Sequence, residues 1–471
     1  MKAKVSKTYL VFIAVLTAIA TTVALTSCRK GDESSPQTTT AAASAASAAT
    51  QDESTENSLP EGSGSAKLTE SDITINETIE NAEDGGHAIL ADGDALSYAH
   101  VRVNKTGEAD GDEADFYGEN AAVFATDGGS LSLKDMVVKT DGTHANAVFS
   151  YGEGTTVNIS NSYIETSGNC SGGLMTTGGG TMNAENLTIT TSGNSSAAIR
   201  SDRGGGTVNV TGGDYTTSGT GSPVIYSTAD ITVSDATMTS TASQGVVVEG
   251  KNSVTLNNVN LTADNNKKNS DKSDWYQAVM IYQSMSGDAA EGVSRFAMNG
   301  GTLTNQNGDV FFVNNTATEI TLNNAQITNN GDGVFLRAAA AGWGSEGSNG
   351  GQVTLNAVNQ TINGVMLVDS VSHLNLYLSG SASFTGAINS GGQDGEVYVE
   401  IEDGSTWTLT ADSYITGMTC GANAVNLNGH KLFIDGTSYT EGSASFGNPI
   451  EVQSTGSGHG GGNPPAKPKD D

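Results

Sequence analysis

The chain has 471 residues and carries 52 acidic against 21 basic side chains, a formal net charge of −31. A field of that sign repels nucleic acid and other polyanions, so those partners are excluded. With only three cysteines, no disulfide framework organises the sequence.

In chain order, Lys2, Lys4 and Lys7 precede an apolar run from Tyr9 to Leu25. The run is too short and too near the terminus for a stop-transfer helix. It ends in Leu25-Thr26-Ser27-Cys28, which resembles a bacterial lipobox. On that resemblance residues 1–27 are a lipoprotein signal peptide, cut before Cys28, whose thiol takes a diacylglyceryl group. An ordinary secretory signal with a chance cysteine is the alternative. The lipobox reading places the protein on the extracellular face of the cytoplasmic membrane or at the cell surface, anchored by lipid. Residues 28–66 are mostly Ser, Thr, Ala, Glu and Gly, a disordered linker that spans roughly 35 Å when relaxed. Residues 451–471 form a Gly- and Pro-rich tail of the same kind.

Residues 67–450 hold the folded part. Val123, Val148, Leu174, Ile199, Ile225, Val246, Val279, Val310, Val334, Val365 and Ile388 each sit in a similar short phrase. The first intervals are 25, 26, 25 and 26 residues, the mark of a solenoid. Two further strand-like pieces with period-two alternation lie between successive anchors, and no piece has helical periodicity. The predicted fold is all-β: a right-handed, single-stranded parallel β-helix of about 12 coils, three short strands each, capped at both ends. Asp135, Asn161, Asn186, Gly212, Asp235, Asn258, Gly300 and Asn324 recur two residues after the second strand, types that reach positive φ cheaply. His100 and Ala357 take the same place, Ala357 as an exception. Gly142, Gly168, Gly193 and Gly219 mark another corner. Ile73 and Ile75 are expected to begin the N-terminal cap. At the other end EVYVEIEDGSTWTLT reads as a hairpin turning at Asp403-Gly404. Cys170 and Cys420 lie about ten coils apart, too far to bridge, and are read as buried small hydrophobes.

The phrases SGGLMTTGGG, AAIRSDRGGGTV, SPVIYSTADITV, VVVEGKNSVTLNN and YQSMSGDA carry a resemblance. The run from about Ala121 to Ile434 looks like cell-surface right-handed β-helix lipoproteins of Gram-positive anaerobes, with the pectin-lyase-like fold and often adhesin-like. The resemblance implies fold and location and transfers no catalytic residues.

Neighbours of the anchor residue face outward from a strand. The residue after it is large: Phe124, Phe149, Met175, Arg200, Tyr226, Val247, Met280, Phe311, Phe335, Met366. This predicts an apolar outer stripe, flanked by a line through Tyr151, Asp202, Glu249, Tyr282 and Arg337, and either used for binding or covered by loops. Of four insertions, at 105–119, 264–276, 283–292 and 338–351, the last three fall on the coils of Val279 and Val334. They bring together Trp275, Tyr276, Tyr282, Arg295, Asn314, Arg337 and Trp343, the composition of a sugar-binding cleft. Packing of those aromatics onto the coil surface is the competing expectation. Asp110, Asp112, Glu113 and Asp115 crowd one insertion and offer oxygen ligands for Ca²⁺, against an acidic solvated loop. Three function classes follow: a surface module binding carbohydrate or a surface partner, a passive structural spacer, and a polysaccharide lyase or hydrolase.

Overall fold

The computed structural model describes residues 67–452. The signal peptide, Cys28, the linker and the tail from residue 453 lie outside the described residues. The chain winds as a right-handed parallel β-helix with three long sheets. Sheet I has 10 strands, from Glu77–Asn81 to Gln326–Asn329. Sheet II has 11, from Ile89–Asp92 to Val365–Val368. Sheet III has 13, from Ala95–Ala99 to Gly417–Cys420. Successive strands of each sheet are one coil apart in sequence, so every strand pairs with its counterparts in the coils before and after.

Period-two alternation sets the core. In Thr156–Ser160, Val157 and Ile159 point inward, while Asn158 faces out and stacks with Asn183 and Asn209 through amide hydrogen bonds of 2.9 and 3.0 Å. One contiguous hydrophobic core runs inside the coil from Ile89 to Leu432. At one corner Thr166, Thr191 and Thr217 are buried and donate to the carbonyls of Ser171, Ser196 and Ser222 at 2.6, 2.5 and 2.7 Å. Polar side chains there satisfy backbone that the tight turn leaves unpaired.

The bend column is present at the residues read from sequence. Asp135, Asn161, Asn186, Asp235, Asn258 and Asn324 have φ between 47° and 55°, and His100 has 60°. Ala357 is not part of it: Ala357 pairs with Leu322, and Asn359 takes the bend at φ 51°. The bend of this coil lies two residues later than the sequence spacing placed it. Replacing Asn258 by Val is expected to cost about 1–2 kcal/mol, since a β-branched residue is strained at positive φ. Asn258→Gly should cost much less. Chemical denaturation of the two variants measures the difference, and equal losses would contradict the assigned bend.

The second glycine column has another cause. A Cβ on Gly168 would lie 1.9 Å from the Gly142 carbonyl oxygen, and one on Gly193 would lie 1.8 Å from that of Gly168. These glycines are demanded by backbone stacking on backbone, without a left-handed φ.

The ends differ from expectation in detail. Ile73 is buried at the start of the first coil. The residues before it run back over the outer face of sheet I, with Glu70 on Arg102 at 2.7 Å and Lys139 at 2.6 Å, and Lys67 on Asp214 at 2.5 Å. The foreseen hairpin at Asp403-Gly404 does not form: Glu396–Ile401 joins sheet III and Thr406–Leu409 a separate four-stranded sheet, both in parallel pairing. Its alternation belongs to two consecutive strands of one coil. Closure instead comes from Leu432–Ile434 turning antiparallel onto Thr437–Ser438, and from an antiparallel bridge between Cys420 and Ser445. Cys420 is buried and free. Cys170 is fully buried, as expected for a small core residue, and takes φ 56°.

Candidate functional site

Between its first and last strands, sheet II is largely buried on both faces, as in Val123–Thr126, Leu174–Thr177, Val246–Glu249 and Gln277–Tyr282. Something therefore covers the outer face. The expected stripe Phe124, Phe149, Met175, Arg200, Tyr226, Val247, Met280 is in register, and none of these residues exceeds 6 % exposure.

Beyond Met280 the register departs from the sequence reading. Val279 pairs with Phe311 and not with Val310, and a bulge separates Val334 from Leu336. Phe311, Phe335 and Met366, expected outside, consequently lie in the core, and Phe312 continues the outer stripe. Val310 and Phe311 are both fully buried, so hydrophobicity could not choose between them. Arg337 pairs with Phe312, which places it on the apolar line rather than beside Tyr282.

Two apolar clusters lie under the roof. Ala121, Phe124, Phe149 and Met175 form the first, beneath the short helix Asp112–Tyr117. Tyr117 meets Tyr151 edge-on at 5.7 Å, and Thr177 Oγ1 donates to the Phe116 carbonyl at 2.7 Å. Tyr226, Val247, Met280, Tyr282, Phe312 and Trp343 anchor the second, with Trp275 packed against it. Tyr282 meets Trp343 at 5.2 Å and Trp275 meets Phe312 at 5.5 Å.

Charges are buried beside these clusters. Arg200 donates to Asp202 at 2.8 Å and lies 3.8 Å from Asp115, which contacts His144 at 3.0 Å. Arg203 holds Asp288 at 2.5 Å and lies over the Phe116 ring. Glu249 accepts from the hydroxyls of Tyr226 and Tyr282. Burial pushes the Asp202 carboxyl up to about 7 against the opposing pull of Arg200, and burial likewise raises Glu249.

The candidate binding residues therefore separate. Tyr282 and Trp343 are buried roof packing, 1 % and 2 % exposed. Asn314 is fully buried and ties the roof down by donating to the carbonyls of Ala339 and Asn349 at 2.9 and 2.8 Å. Tyr276 is partly buried and its carbonyl accepts from the Asp309 N–H. Arg295 stands on sheet III, largely exposed and 3.8 Å from Glu319, away from the others. Trp275 and Arg337 do converge, with the guanidinium 4.5 Å from the ring centre.

Those two line an open cleft of about 470 Å³. Ala338, Ala339, Leu367 and Val368 supply its apolar lining, and Asp369, Asn389, Gln393 and Asp394 its polar lining. Sequence reasoning missed these polar residues because Asp369 follows the anchor Val365, and Asn389, Gln393 and Asp394 the anchor Ile388, by only a few residues, and neither stretch is an insertion. The turn text Asn389-Ser390-Gly391-Gly392 was the available signal, and Asn389 does take φ 47°. Arg337 is clamped on Asp309 by bonds of 2.6 and 3.1 Å. Burial pushes Asp309 up to about 6, with Arg337 opposing.

Asp112 opens the helix, Asp110 and Glu113 are exposed, and Asp115 turns inward to His144. Asp115, His144 and Cys170, all buried, bring ligand atoms within 4.8 Å of one another. No protein-family model matches the chain, and no curated protein matches it.

Proposed function

We propose that this chain is a lipid-anchored, adhesin-like β-helix of the cell surface that binds carbohydrate in the cleft between Trp275 and Asp394. The observation carrying the reading is the composition of that cleft. Its lining combines an aromatic and a guanidinium (Trp275, Arg337), apolar side chains (Ala338, Leu367, Val368), and amides and carboxylates (Asn389, Gln393, Asp369, Asp394). A sugar ring has the matching pattern, apolar C–H faces edged with hydroxyls. The volume of about 470 Å³ lies within the range of small-ligand sites. The lipobox at Cys28 and the linker to residue 66 support a tethered position outside the membrane.

A glycan array on the purified protein tests the binding. Trp275→Ala should then weaken the best glycan about ten-fold or more, by analogy with aromatic stacking energies. Binding unchanged by this substitution moves the site elsewhere, and an array without any hit leaves the spacer reading in the lead. For the anchor, Cys28→Ala should release the protein from the membrane fraction or leave it unprocessed. A variant that fractionates and migrates like the wild type contradicts the lipoprotein reading.

A further inference from the structure

The charges lining the cleft are unevenly matched. Arg337 is its one cationic lining residue, and Asp309 beneath it takes that charge through two hydrogen bonds. Asp369 and Asp394 also line the cleft, and with Arg337 committed to Asp309 they leave the lining with an excess of negative charge. Asp369 is fixed in place, accepting from the N–H of Ala340 at 2.7 Å, the N–H of Val371 at 3.2 Å and the hydroxyl of Ser372 at 2.6 Å. Asp394 is exposed beside Gln393. The whole molecule, at −31, adds to the same sign.

The aromatic leaves discrimination to these carboxylates. Arg337 covers one part of the Trp275 ring at 4.5 Å and Phe312 packs against it at 5.5 Å with a tilt of 54°. The indole is thus held in place by its neighbours, and its contribution is similar for sugars of the same shape. What separates one sugar from another is the charge that meets Asp369 and Asp394. A uronate or other acidic sugar brings a like charge to them. An N-acetylated sugar brings none. A sugar with a free primary ammonium brings the complement, a compact cation with three donors.

We infer that the cleft selects unacetylated amino-sugar residues, with the ammonium group received by Asp369 and Asp394 and the ring lying on Ala338, Leu367 and Val368. This deepens the carbohydrate reading above and rests on it.

Three oligosaccharides of equal length serve as probes: oligoglucosamine, its fully N-acetylated form, and oligogalacturonate, each titrated calorimetrically against the full chain. Oligoglucosamine is expected to bind about ten-fold tighter than the N-acetylated oligomer, with no measurable binding of oligogalacturonate. The preference should shrink as salt rises. Asp394→Asn should abolish most of the preference for oligoglucosamine over the N-acetylated oligomer, and Asp394→Lys should turn it toward the acidic oligomer. Asp394 is exposed, so neither substitution threatens the fold. Equal or better binding of the N-acetylated or acidic oligomer overturns the inference and leaves carbohydrate binding intact, as does a preference that survives in Asp394→Asn. If none of the three oligomers binds and a glycan array is also empty, the carbohydrate reading falls and takes the inference with it.

Discussion

Replacing Trp343 by alanine is expected to destabilise the protein by about 3–5 kcal/mol, the range for removing a large buried aromatic. The indole is 2 % exposed, meets Tyr282 at 5.2 Å and has the Lys272 ammonium 5.9 Å from its ring centre. Its carbonyl also accepts from Asn349, whose amide reaches back to Ala341 as well. Truncation leaves a cavity between the roof and sheet II that the fixed coils cannot close by moving together. Denaturant unfolding measures the loss, and an unchanged midpoint would mean that the 338–351 insertion does not pack as a roof. The same variant discriminates between packing and recognition. Trp343 is not part of the cleft lining, so affinity for a bound glycan should stay close to that of the wild type under native conditions. Trp275→Ala should do the reverse, losing affinity with a smaller loss of stability, because Trp275 is only partly buried.

The contrast between those two tryptophans shows where sequence was legible and where it was not. A solenoid repeats its own backbone constraints, so each coil reports them again. Asn161, Asn186 and Asn258 mark the bend, and Gly168, Gly193 and Gly219 mark the stacked corner, because every turn of the helix imposes the same φ or the same close approach. Fold class and most of the register followed from these columns. Register failed where the chain stopped repeating. Gln277–Tyr282 and Asp309–Asn314 are six-residue strands in which every residue is buried, so Val310 and Phe311 gave the same signal. The bulge before Leu336 then moved Arg337 onto the apolar line. Insertions carried a different ambiguity. Trp275 and Trp343 both lie in inserted segments with polar neighbours, and no local pattern separates an aromatic that packs inward from one that borders open space. That distinction depends on how one loop rests on another, a contact with no sequence period. The acids of the cleft were missed for a related reason. Asp369 and Asp394 belong to ordinary turns of two successive coils and become a site only because the roof ends beside them.

Substituting Asp202 by asparagine is expected to flatten the pH dependence of stability across the acid-to-neutral range. Asp202 is fully buried, beside Arg200 at 2.8 Å on its own strand. It also feels the carboxylates of Asp115 on the short helix and Asp288 on the 283–292 loop. Burial penalises its charged form most, Arg200 opposes, and the two acids reinforce the penalty, so the carboxyl rises from 3.8 to about 7. The sign follows from where the proton is held. The folded protein binds this proton more tightly than the unfolded chain does, so the group favours folding fully below the unfolded value. That advantage declines as pH rises from about 4 and is lost once pH passes about 7. A shift of this size corresponds to roughly 4 kcal/mol between the two limits. Glu249, raised by burial in the same roof, acts in the same direction and remains in the variant. The quantity to measure is therefore the difference between wild type and Asp202→Asn in denaturant stability at a series of pH values from roughly 4 to 8. Wild type should lose stability relative to the variant as pH rises. The slope is the readout rather than the level, because the asparagine also weakens the contact to Arg200. Parallel curves would mean that Asp202 is ionised throughout and that the Arg200 pairing outweighs its burial.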